Sequence, residues 1–431
     1  MAQRPRGTRD FGPAEMVRRL ALERLFDGVA SRHGFQRVQT PTFEALDLFT
    51  AKSGEAVVDQ LYAFEDKGGR PLTLRPELTA PVMRMVASEM THVPQPLRLA
   101  YFGNCFRYEE FKAGRYREFW QYGCEVVGAS GPLVEAEVIA FAAALVSASG
   151  LTDWRLKVGH VGILREMLAS VGLEGDAVGE VMRLIDKGDL DAVAGRVPAE
   201  MSAALSALAA SDGSLQSIDE ARSVLAGVGL GSESLDELRE TLHHLRALAP
   251  TADVTIDMTV ARGLDYYTGT VFEIEVDSLG GEGQVLGGGS YRLMHLFDKP
   301  DLDPCCGFGL GFDRVLLALA EQVASGGESV VDGAAGQGAL AIVPFRIDAA
   351  EVLPLVAGLR TAGIDVLLEL RSRKVQRSIH WAEARGAAHV LVVGPRDLES
   401  GHAKVKRLVD GAERDCTLDV DSVSAAVASL A

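Results

Sequence analysis

The segment RGLDYYTGTVFE, residues 262–273, combines side chains that rarely occur together in a packed strand. Within eight residues it holds a cation (Arg262), a carboxylate (Asp265), two phenols (Tyr266 and Tyr267) and two glycines, and a β-prone run follows. The run also fits an ordinary hairpin strand. A packed strand would prefer apolar neighbours to Arg262 and Asp265, so the composition favours a polar binding pocket.

A second candidate site lies at residues 102–128, FGNCFRYEEFKAGRYREFWQYGCEVVG. Hydrophobic alternation predicts one strand around 104–107 and another around 118–122. The polar loop 109–117 joins them and carries Lys112, Arg115 and Arg117. A basic hairpin of this kind is either a solvated turn or a site for phosphate groups.

Two further segments combine turn residues with charged or hydroxyl side chains. CCGFGLGFDRVLLALAE, residues 305–321, alternates glycines along a predicted strand and then enters an apolar helix with Arg314 in its first turn. Glycines on one face of a strand let a flat ligand approach the backbone. In TLRPELTAPVMRM, residues 73–85, Pro76 favours a turn after a strand.

These segments, in this order, resemble the signatures of class II aminoacyl-tRNA synthetases, and among them the histidyl-tRNA synthetases. The stretch GTRDFGP at 7–13 resembles their N-terminal signature, and VQTPTFEALDLF at 38–49, with Pro41, resembles motif 1. The hairpin at 102–128 resembles motif 2, and the glycine-rich strand with Arg314 resembles motif 3. The RPELT turn and RGLDYYTG resemble two histidine-binding segments, and the resemblance spans essentially the whole chain.

The resemblance implies a site for ATP, with Mg²⁺ bound to its phosphates. It implies that Arg107 and Arg262 flank the α-phosphate and that Arg314 holds the far end of the nucleotide. Planar guanidinium groups suit this role because they pair bidentately with phosphate. Glu109 would orient Arg107 or the adenine, and Gly309 and Gly311 would leave room for the nucleotide.

The resemblance also implies a histidine pocket and a tRNA-binding surface. Glu125 and Tyr267 match the family's imidazole contacts, whereas Glu77, Thr79 and Gln121 match its α-amino contacts. Further histidine-binding positions are carried over to Arg262, Tyr266 and Tyr291. The expected tRNA contacts are Lys112, Arg115 and Arg117 in the hairpin loop, with Arg373 and Lys406 in the C-terminal region.

Two segments depart from the bacterial pattern of the family. The motif 2 loop usually reads R-P-Q after its glutamate, whereas this chain has Glu110-Phe111-Lys112. The family's GGGRYDGL appears here as GGGSYRLM, with Ser290 and Arg292 in place of the arginine and the aspartate. Similar variants occur in archaeal-type enzymes, which suggests that lineage.

Composition places few further limits on function. The five cysteines show no C-x-x-C spacing and no His/Cys cluster suggests zinc, so we expect no dedicated metal site and a reducing, cytoplasmic location. The N-terminus, MAQRPRGTRDFGP, has no apolar run of signal-peptide length, and no stretch of the chain approaches eighteen uninterrupted apolar residues, so we expect no membrane span. The net charge of −17 opposes nucleic-acid binding globally, but local basic patches, including those around Arg373 and Lys406, supply the positive charge that phosphates require.

The chain divides into five predicted regions. The resemblance implies that residues 1–164 and 251–322 form a catalytic core, an α+β class II synthetase fold on a mainly antiparallel sheet, and that residues 165–250 form a helical insertion. Residues 323–338 form a linker rich in glycine, serine and alanine. In 339–431, strands alternate with helices, which predicts βαβ units and a mainly parallel sheet. This last region resembles the α/β anticodon-binding domain of several class II synthetases.

The expected function is therefore ATP-dependent ligation of L-histidine to tRNA(His) through a histidyl-adenylate, by a homodimer. The alternative is a non-catalytic paralogue, the regulatory subunit of ATP phosphoribosyltransferase, which shares the core fold but typically lacks the anticodon-binding domain. A class II synthetase for another amino acid is disfavoured by RGLDYYTG.

Overall fold

The chain folds into two compact units, Met1–Val331 and Asp332–Ala431. The computed structural model describes residues 3–53, 55–108, 116–260, 267–331, 338–371 and 373–430. None of the helices in these ranges is long and apolar enough to cross a membrane.

An eight-stranded sheet forms the centre of the first unit, with a three-stranded sheet beside it. In chain order the strands are β1 (Gln36–Val38), β2 (Phe43–Ala45), β3 (Tyr62–Glu65), β4 (Pro71–Leu74), β5 (Leu97–Phe106), β6 (Glu118–Val127), β7 (Trp154–His160), β8 (Val254–Ile256), β9 (Tyr267–Val276), β10 (Gln284–Tyr291) and β11 (Cys305–Gly311). The large sheet runs β1-β5-β6-β11-β10-β9-β7-β8, and the small one runs β2-β4-β3. Only the outermost pairs, β1 with β5 and β7 with β8, are parallel, so the prediction of a mainly antiparallel core is confirmed.

Helices cover one face of the large sheet. They are α1 (Pro13–Arg32) and α4 (Pro132–Ala148). Two shorter helices, α2 (Asp47–Ser53) and α3 (Thr79–Met85), follow the small-sheet strands β2 and β4. The α4 helix is apolar almost all round and largely buried, as expected for a helix inside the core. Phe141 of α4 contacts Phe308 of β11, with ring centroids 5.5 Å apart, and Phe26 of α1 contacts Tyr122 of β6 at 5.3 Å.

The opposite face of the large sheet is rich in glycine at its centre. Strand pairing places Gly307 beside Glu125 and Gly289, and it places Gly309 beside Gly123 and Gly287. Since side chains alternate between the two faces of a strand, these glycines lie on the same face as Glu125. The sequence pattern therefore produces a shallow floor on the face that α1 and α4 leave uncovered.

Six helices lie between β7 and β8, in the region predicted as a helical insertion. They are α5 (Val161–Ser170), α6 (Asp176–Asp186), α7 (Leu190–Ala194), α8 (Ala199–Ala209), α9 (Ser217–Gly227) and α10 (Glu233–Leu248). In α10, Leu235, Leu238, Leu242 and Leu245 recur at helical spacing and are buried. The buried side chains of the insertion therefore form one continuous apolar core with those of the sheet.

The last helix of the first unit follows β11 directly. This helix, α11 (Phe312–Ala324), ends two residues inside the region predicted as a linker. Val331 is buried, and residues 332–337 lie outside the described residues.

A five-stranded sheet forms the centre of the second unit. Its strands are β12 (Leu340–Pro344), β13 (Val366–Leu368), β14 (His389–Val393), β15 (His402–Arg407) and β16 (Glu413–Thr417). The helices are α12 (Leu353–Thr361), α13 (Val375–Ala384), α14 (Pro395–Ser400) and α15 (Val420–Ser429). The order is β13-β12-β14-β15-β16.

The prediction of a mainly parallel sheet in this unit is wrong for its last two strands. The β12 strand is parallel to β13 and β14, whereas β15 pairs antiparallel with both β14 and β16. In β15 the buried positions Ala403 and Val405 alternate with lysines, so the strand has only one apolar face. That weaker pattern does not stand out in the sequence as a strand.

Candidate active site

A buried carboxylate, Glu125 of β6, lies at the centre of the uncovered face, with only 1% of its surface exposed. The Tyr101 hydroxyl donates a hydrogen bond to Glu125 Oε1 at 2.9 Å, and the Tyr291 hydroxyl donates one to Oε2 at 2.5 Å. Burial raises the pKa of Glu125 to about 7, although the hydrogen bonds from Tyr291, Thr79 and Tyr101 act in the opposite direction. The site therefore holds a carboxyl group that titrates near neutral pH.

Gly307 leaves the space that this carboxylate occupies. A β-carbon at residue 307 would lie 1.9 Å from Glu125 Oε2 and 2.3 Å from the Cys124 carbonyl oxygen. Gly309, two residues along the same strand, has a different environment, because a β-carbon there would meet only Gln121 Nε2, at 3.7 Å. The first glycine accommodates Glu125, whereas the second leaves the floor open for a ligand.

Two predicted tyrosines border the same pocket. Tyr267, at the start of β9, is almost fully buried, and its ring lies 6.4 Å from that of Tyr291 in an edge-to-face arrangement. A β-carbon at Gly289 would lie 2.5 Å from the Thr270 carbonyl oxygen and 3.1 Å from the Tyr267 ring, so the close packing of β9 here requires a glycine. The structure thus brings together Glu125, Tyr267 and Tyr291 from three strands.

The RPELT turn lies beside the pocket and is held by buried hydrogen bonds. The Arg75 guanidinium donates to the backbone oxygens of Thr40 (2.8 Å), Pro41 (3.1 Å) and Asn104 (2.8 Å). Glu77 accepts from the backbone N–H of Thr79 at 2.5 Å and of Ala80 at 3.1 Å, and α3 begins there. A carboxylate just before the start of a helix is favourable because it satisfies the free N–H groups of the first turn.

Thr79 links this turn to the carboxylate site. Its hydroxyl lies 3.5 Å from that of Tyr101, which in turn donates to Glu125. Gln121 lies on the same face as Glu125, and its side-chain oxygen accepts from the Cys105 thiol at 3.3 Å. Burial raises the pKa of Cys105 to about 12, so the thiol keeps its proton. The predicted α-amino contacts therefore border one pocket with the predicted imidazole contacts.

The two described arginines of the predicted ATP site lie at one end of this face. Arg107 follows β5 directly, donates to the Pro76 carbonyl oxygen at 3.0 Å, and lies over the Phe119 ring at 5.2 Å. Arg314 is in the first turn of α11 and donates to the Gln284 carbonyl oxygen. Since Gly311 pairs with Gln121 and Phe106 pairs with Glu118, both arginines flank the same end of the glycine floor.

Several predicted site residues lie outside the described residues. They are Glu109, Lys112 and Arg115 of the motif 2 loop, and Arg262 and Tyr266 of the RGLDYYTG segment. Their assignments remain sequence-based predictions.

Comparison with known proteins agrees with these observations. The family model for histidyl-tRNA synthetase matches residues 7–315, and the model for an anticodon binding domain matches residues 340–430. The chain belongs to the histidyl-tRNA synthetase family.

Relatives of similar length span nearly the whole chain. A histidine--tRNA ligase of Archaeoglobus fulgidus is 41% identical, over 94% of this chain and 95% of that protein. One from Methanocorpusculum labreanum is 38% identical, over 97% of each. The crystal structure of apo histidyl-tRNA synthetase from S. aureus superimposes with a TM-score of 0.74 at 28% identity and covers 99% of this chain and all of that one. The predicted resemblance to histidyl-tRNA synthetases is thereby confirmed.

One departure from the family pattern has a structural counterpart on the covered face of the sheet. Ser290, which replaces the family's arginine, donates to the buried carboxylate of Glu135 at 2.5 Å. Glu135 also accepts from the hydroxyls of Thr241, at 2.9 Å, and of Thr270. A buried carboxylate on α4 thereby joins the insertion helix α10 to β9 and β10. Neither Glu135 nor Tyr101 stands out in the sequence, because each lies in a segment with the pattern of ordinary apolar structure.

The described residues that we predict to contact tRNA differ in how far their positive charge is paired. Arg117 lies over the Tyr108 ring at 4.2 Å. Arg373 forms an ion pair with the buried Glu369 at 2.7 Å, so part of its positive charge is already neutralised within the protein. Lys406 borders a cavity of about 380 Å³ between α13 and the strands β14, β15 and β16. In the basic patch around Lys406, Lys404 pairs with Glu413 and Asp415, and Arg407 pairs with Asp410.

Proposed function

We propose that this protein ligates L-histidine to tRNA(His) in an ATP-dependent reaction through a histidyl-adenylate. The observation that carries the proposal is the buried Glu125 with its two phenol donors. In a family whose members select histidine, such a carboxylate supplies an acceptor for an imidazole N–H. A buried polar group discriminates strongly, because an analogue that cannot pair with it leaves the group unsatisfied.

In this pocket, different side chains would recognise the imidazole and the α-amino group of histidine. Tyr101 and Tyr291 donate to different oxygens of Glu125, so the carboxylate is fixed in place and keeps lone pairs for the imidazole. Thr79 and Gln121 border the same pocket, where the α-amino group of the substrate would bind. Tyr267 would close the pocket against the imidazole ring.

Adenylate formation needs alignment of the histidine carboxylate with the α-phosphorus of ATP and stabilisation of charge on the phosphoryl oxygens. The carboxylate oxygen bonds to the α-phosphorus, and pyrophosphate leaves. Arg107 and Arg262 are assigned to the α-phosphate, with Arg314 at the far end of ATP and Glu109 orienting Arg107 or the adenine. Gly309 and Gly311 leave room for the nucleotide, and Mg²⁺ enters with the ATP phosphates as part of the substrate.

The second half-reaction transfers the histidyl group to the terminal ribose of tRNA. The match of residues 340–430 to an anticodon binding domain supports this step, and it disfavours the alternative of a regulatory subunit, which typically lacks such a domain. We assign Lys112, Arg115 and Arg117 to the acceptor end of the tRNA, and Arg373 and Lys406 to its anticodon arm.

We further propose that the protein acts as a cytoplasmic homodimer. Two large apolar side chains are exposed on the small sheet, namely Phe43 on β2, within the motif 1 segment, and Phe64 on β3. Exposed apolar side chains on one small sheet are suited to an interface between two copies. The five cysteines are free and buried, which fits a reducing compartment.

Amino-acid-dependent exchange of pyrophosphate into ATP tests the proposal. Each of the twenty amino acids is supplied singly to the purified protein, and only histidine is expected to support exchange. Exchange with a different amino acid, or none with any, would refute the proposed specificity.

A further inference from the structure

The N-terminal segment, residues 3–12, lies against the base of the motif 2 hairpin. The Thr8 backbone N–H bonds to the Pro5 oxygen at 3.3 Å, and Gly7 closes this turn with a φ of +82°. The Gly7 carbonyl oxygen accepts the backbone N–H of Arg117 at 2.9 Å. A β-carbon at residue 7 would lie 2.7 Å from Arg117 Cγ, so the segment approaches the hairpin as closely as its backbone allows.

The side chain of Arg9, in the same N-terminal segment, contacts both the end of the motif 2 loop and the start of α11. Its guanidinium carbon lies 3.5 Å from the centroid of the Tyr116 ring, at the return end of the motif 2 loop. Its Nη2 lies 2.9 Å from the buried Asp313 carboxylate, at the start of α11. Cation–π and ion-pair contacts of one guanidinium therefore join the loop end to the helix that carries Arg314.

Asp313 is the centre of this arrangement. Its Oδ2 accepts the backbone N–H of Trp120 on β6 at 2.8 Å, and its Oδ1 accepts from Arg19 of α1 at 2.6 Å. Motif 3 and the second strand of motif 2 are thus held together by one carboxylate that lies next to Arg314.

The segment consequently acts on the surroundings of both described ATP-site arginines. The Arg107 backbone N–H bonds to the Arg117 oxygen at 3.0 Å, so the backbone that Gly7 holds also fixes Arg107. Arg314 follows directly on Asp313, which Arg9 contacts. Displacement of either arginine by a fraction of an ångström would misalign it with a phosphate.

We propose that Arg9 is a positioning residue for ATP: it does not touch the nucleotide but fixes the geometry between Arg107 and Arg314. The inference rests on the proposed function, since it concerns the nucleotide site of the same reaction. Arg9 is remote in sequence from motifs 2 and 3.

Removal of the Arg9 side chain leaves Asp313 with a partner. Arg19 still pairs with it, and the Trp120 N–H still bonds to it, so the buried carboxylate is not left unsatisfied. The variant Arg9→Ala should therefore fold, and its defect should be confined to the nucleotide site.

The test compares Arg9→Ala and Arg9→Lys with Arg4→Ala. Arg4 is a matched control, because it lies in the same segment and pairs with Asp10 only at the exposed surface.

Histidine-dependent pyrophosphate exchange gives the KM for ATP and for histidine, and calorimetric titration gives the Kd for MgATP. For Arg9→Ala we expect the KM and Kd for ATP to rise about tenfold, with the KM for histidine unchanged. Arg9→Lys should recover part of the loss, since it keeps the charge but not the planar stack, and Arg4→Ala should match the parent.

Unaltered ATP constants in Arg9→Ala would overturn the inference, and so would an equal loss of histidine and ATP affinity together with a lowered Tm, which would indicate a merely structural role. If the parent binds MgATP but catalyses no exchange, the proposed function fails while the Kd comparison still decides the role of Arg9. If the parent binds no MgATP, both proposals fall.

Discussion

Glu125, which we assign to histidine selection, should impose a cost on the stability of the fold. Its carboxylate is buried, and burial raises its pKa to about 7. We expect Glu125→Gln to raise the KM for histidine by at least about tenfold, because the substitution removes an ionised acceptor from a buried polar site. The KM for ATP should change little. Glu275→Gln is a suitable control, since Glu275 pairs with Lys157 at a half-exposed position on β9.

The same group should give histidine binding a pH dependence. The ionised form of Glu125 prevails above about pH 7 and the protonated form below it. Affinity for histidine should therefore decrease as the pH falls from 8 to 6 in the parent. The imidazole of free histidine also titrates in this range, so the quantity to measure is the ratio of KM values of Glu125→Gln and the parent. A ratio that stays constant from pH 6 to 8 would contradict the assignment.

The effect of Glu125 on stability should have the opposite sign. Below its ordinary pKa of 4.5 the carboxyl is protonated in both the folded and the unfolded chain, so its ionisation makes no difference. Between pH 4.5 and about 7 the unfolded chain loses the proton first, and the folded state is destabilised progressively, by on the order of 3 kcal/mol in total. Thermal unfolding should therefore show Glu125→Gln gaining Tm relative to the parent between pH 5 and pH 8. A Tm difference that does not vary with pH would be the contrary result.

At the level of elements, the alternating glycines Gly307 and Gly309 of β11 have two different environments. Gly307→Ala should abolish folding or the histidine pocket, because its β-carbon would overlap Glu125 and the Cys124 backbone. Gly309→Ala meets only Gln121 at 3.7 Å, so it should fold with a Tm close to that of the parent. Because we assign the glycine-rich face around Gly309 to the nucleotide, the KM of the Gly309→Ala variant for ATP should rise several-fold.

Circular dichroism and exchange kinetics on the two glycine variants decide this prediction. Equal thermal stability of the two variants would show that the space around Gly307 can be regained by relaxation. A KM for ATP in Gly309→Ala equal to that of the parent protein would show that ATP does not bind beside Gly309.

The elements that carry the site could be predicted from the sequence, whereas the contacts between them could not. The motif 2 strands, the turn at Pro76 and the strand-to-helix transition before Arg314 follow from alternation, proline and glycine. Tyr101 was missed because it lies in the apolar run of β5, and its role arises only when β6 pairs beside it in one register.

The Glu135 cluster illustrates the same limit for long-range contacts. Its hydroxyl partners lie 106, 135 and 155 residues away along the chain. No local pattern relates a glutamate in an apolar helix to hydroxyls at such separations. Similarly, β15 and β16 are short and have an exposed polar face, so neither gives a strong strand signal.

At the scale of the whole molecule, the two compact units suggest separable tasks. A chain ending at residue 331 retains the whole first unit, including every residue assigned to adenylate formation. It should remain folded and dimeric and should still catalyse histidine-dependent exchange. It should charge tRNA poorly, because Arg373 and Lys406 are removed with the second unit.

Sedimentation, pyrophosphate exchange and tRNA charging on the shortened chain, beside the full chain, test this division. A monomeric product would contradict the assignment of the dimer interface to the first unit. Charging as efficient as that of the full chain would contradict the assignment of tRNA binding to the second.

The most direct test of the central claim is transfer of the amino acid to tRNA by the full-length protein. Purified protein is incubated with ATP, Mg²⁺ and total tRNA, and each radiolabelled amino acid is supplied in turn. We expect acid-precipitable label to accumulate with histidine alone and the labelled tRNA to be tRNA(His). Label from another amino acid, or absence of label with histidine from a protein that binds it, would show that the protein is not a histidine-specific ligase.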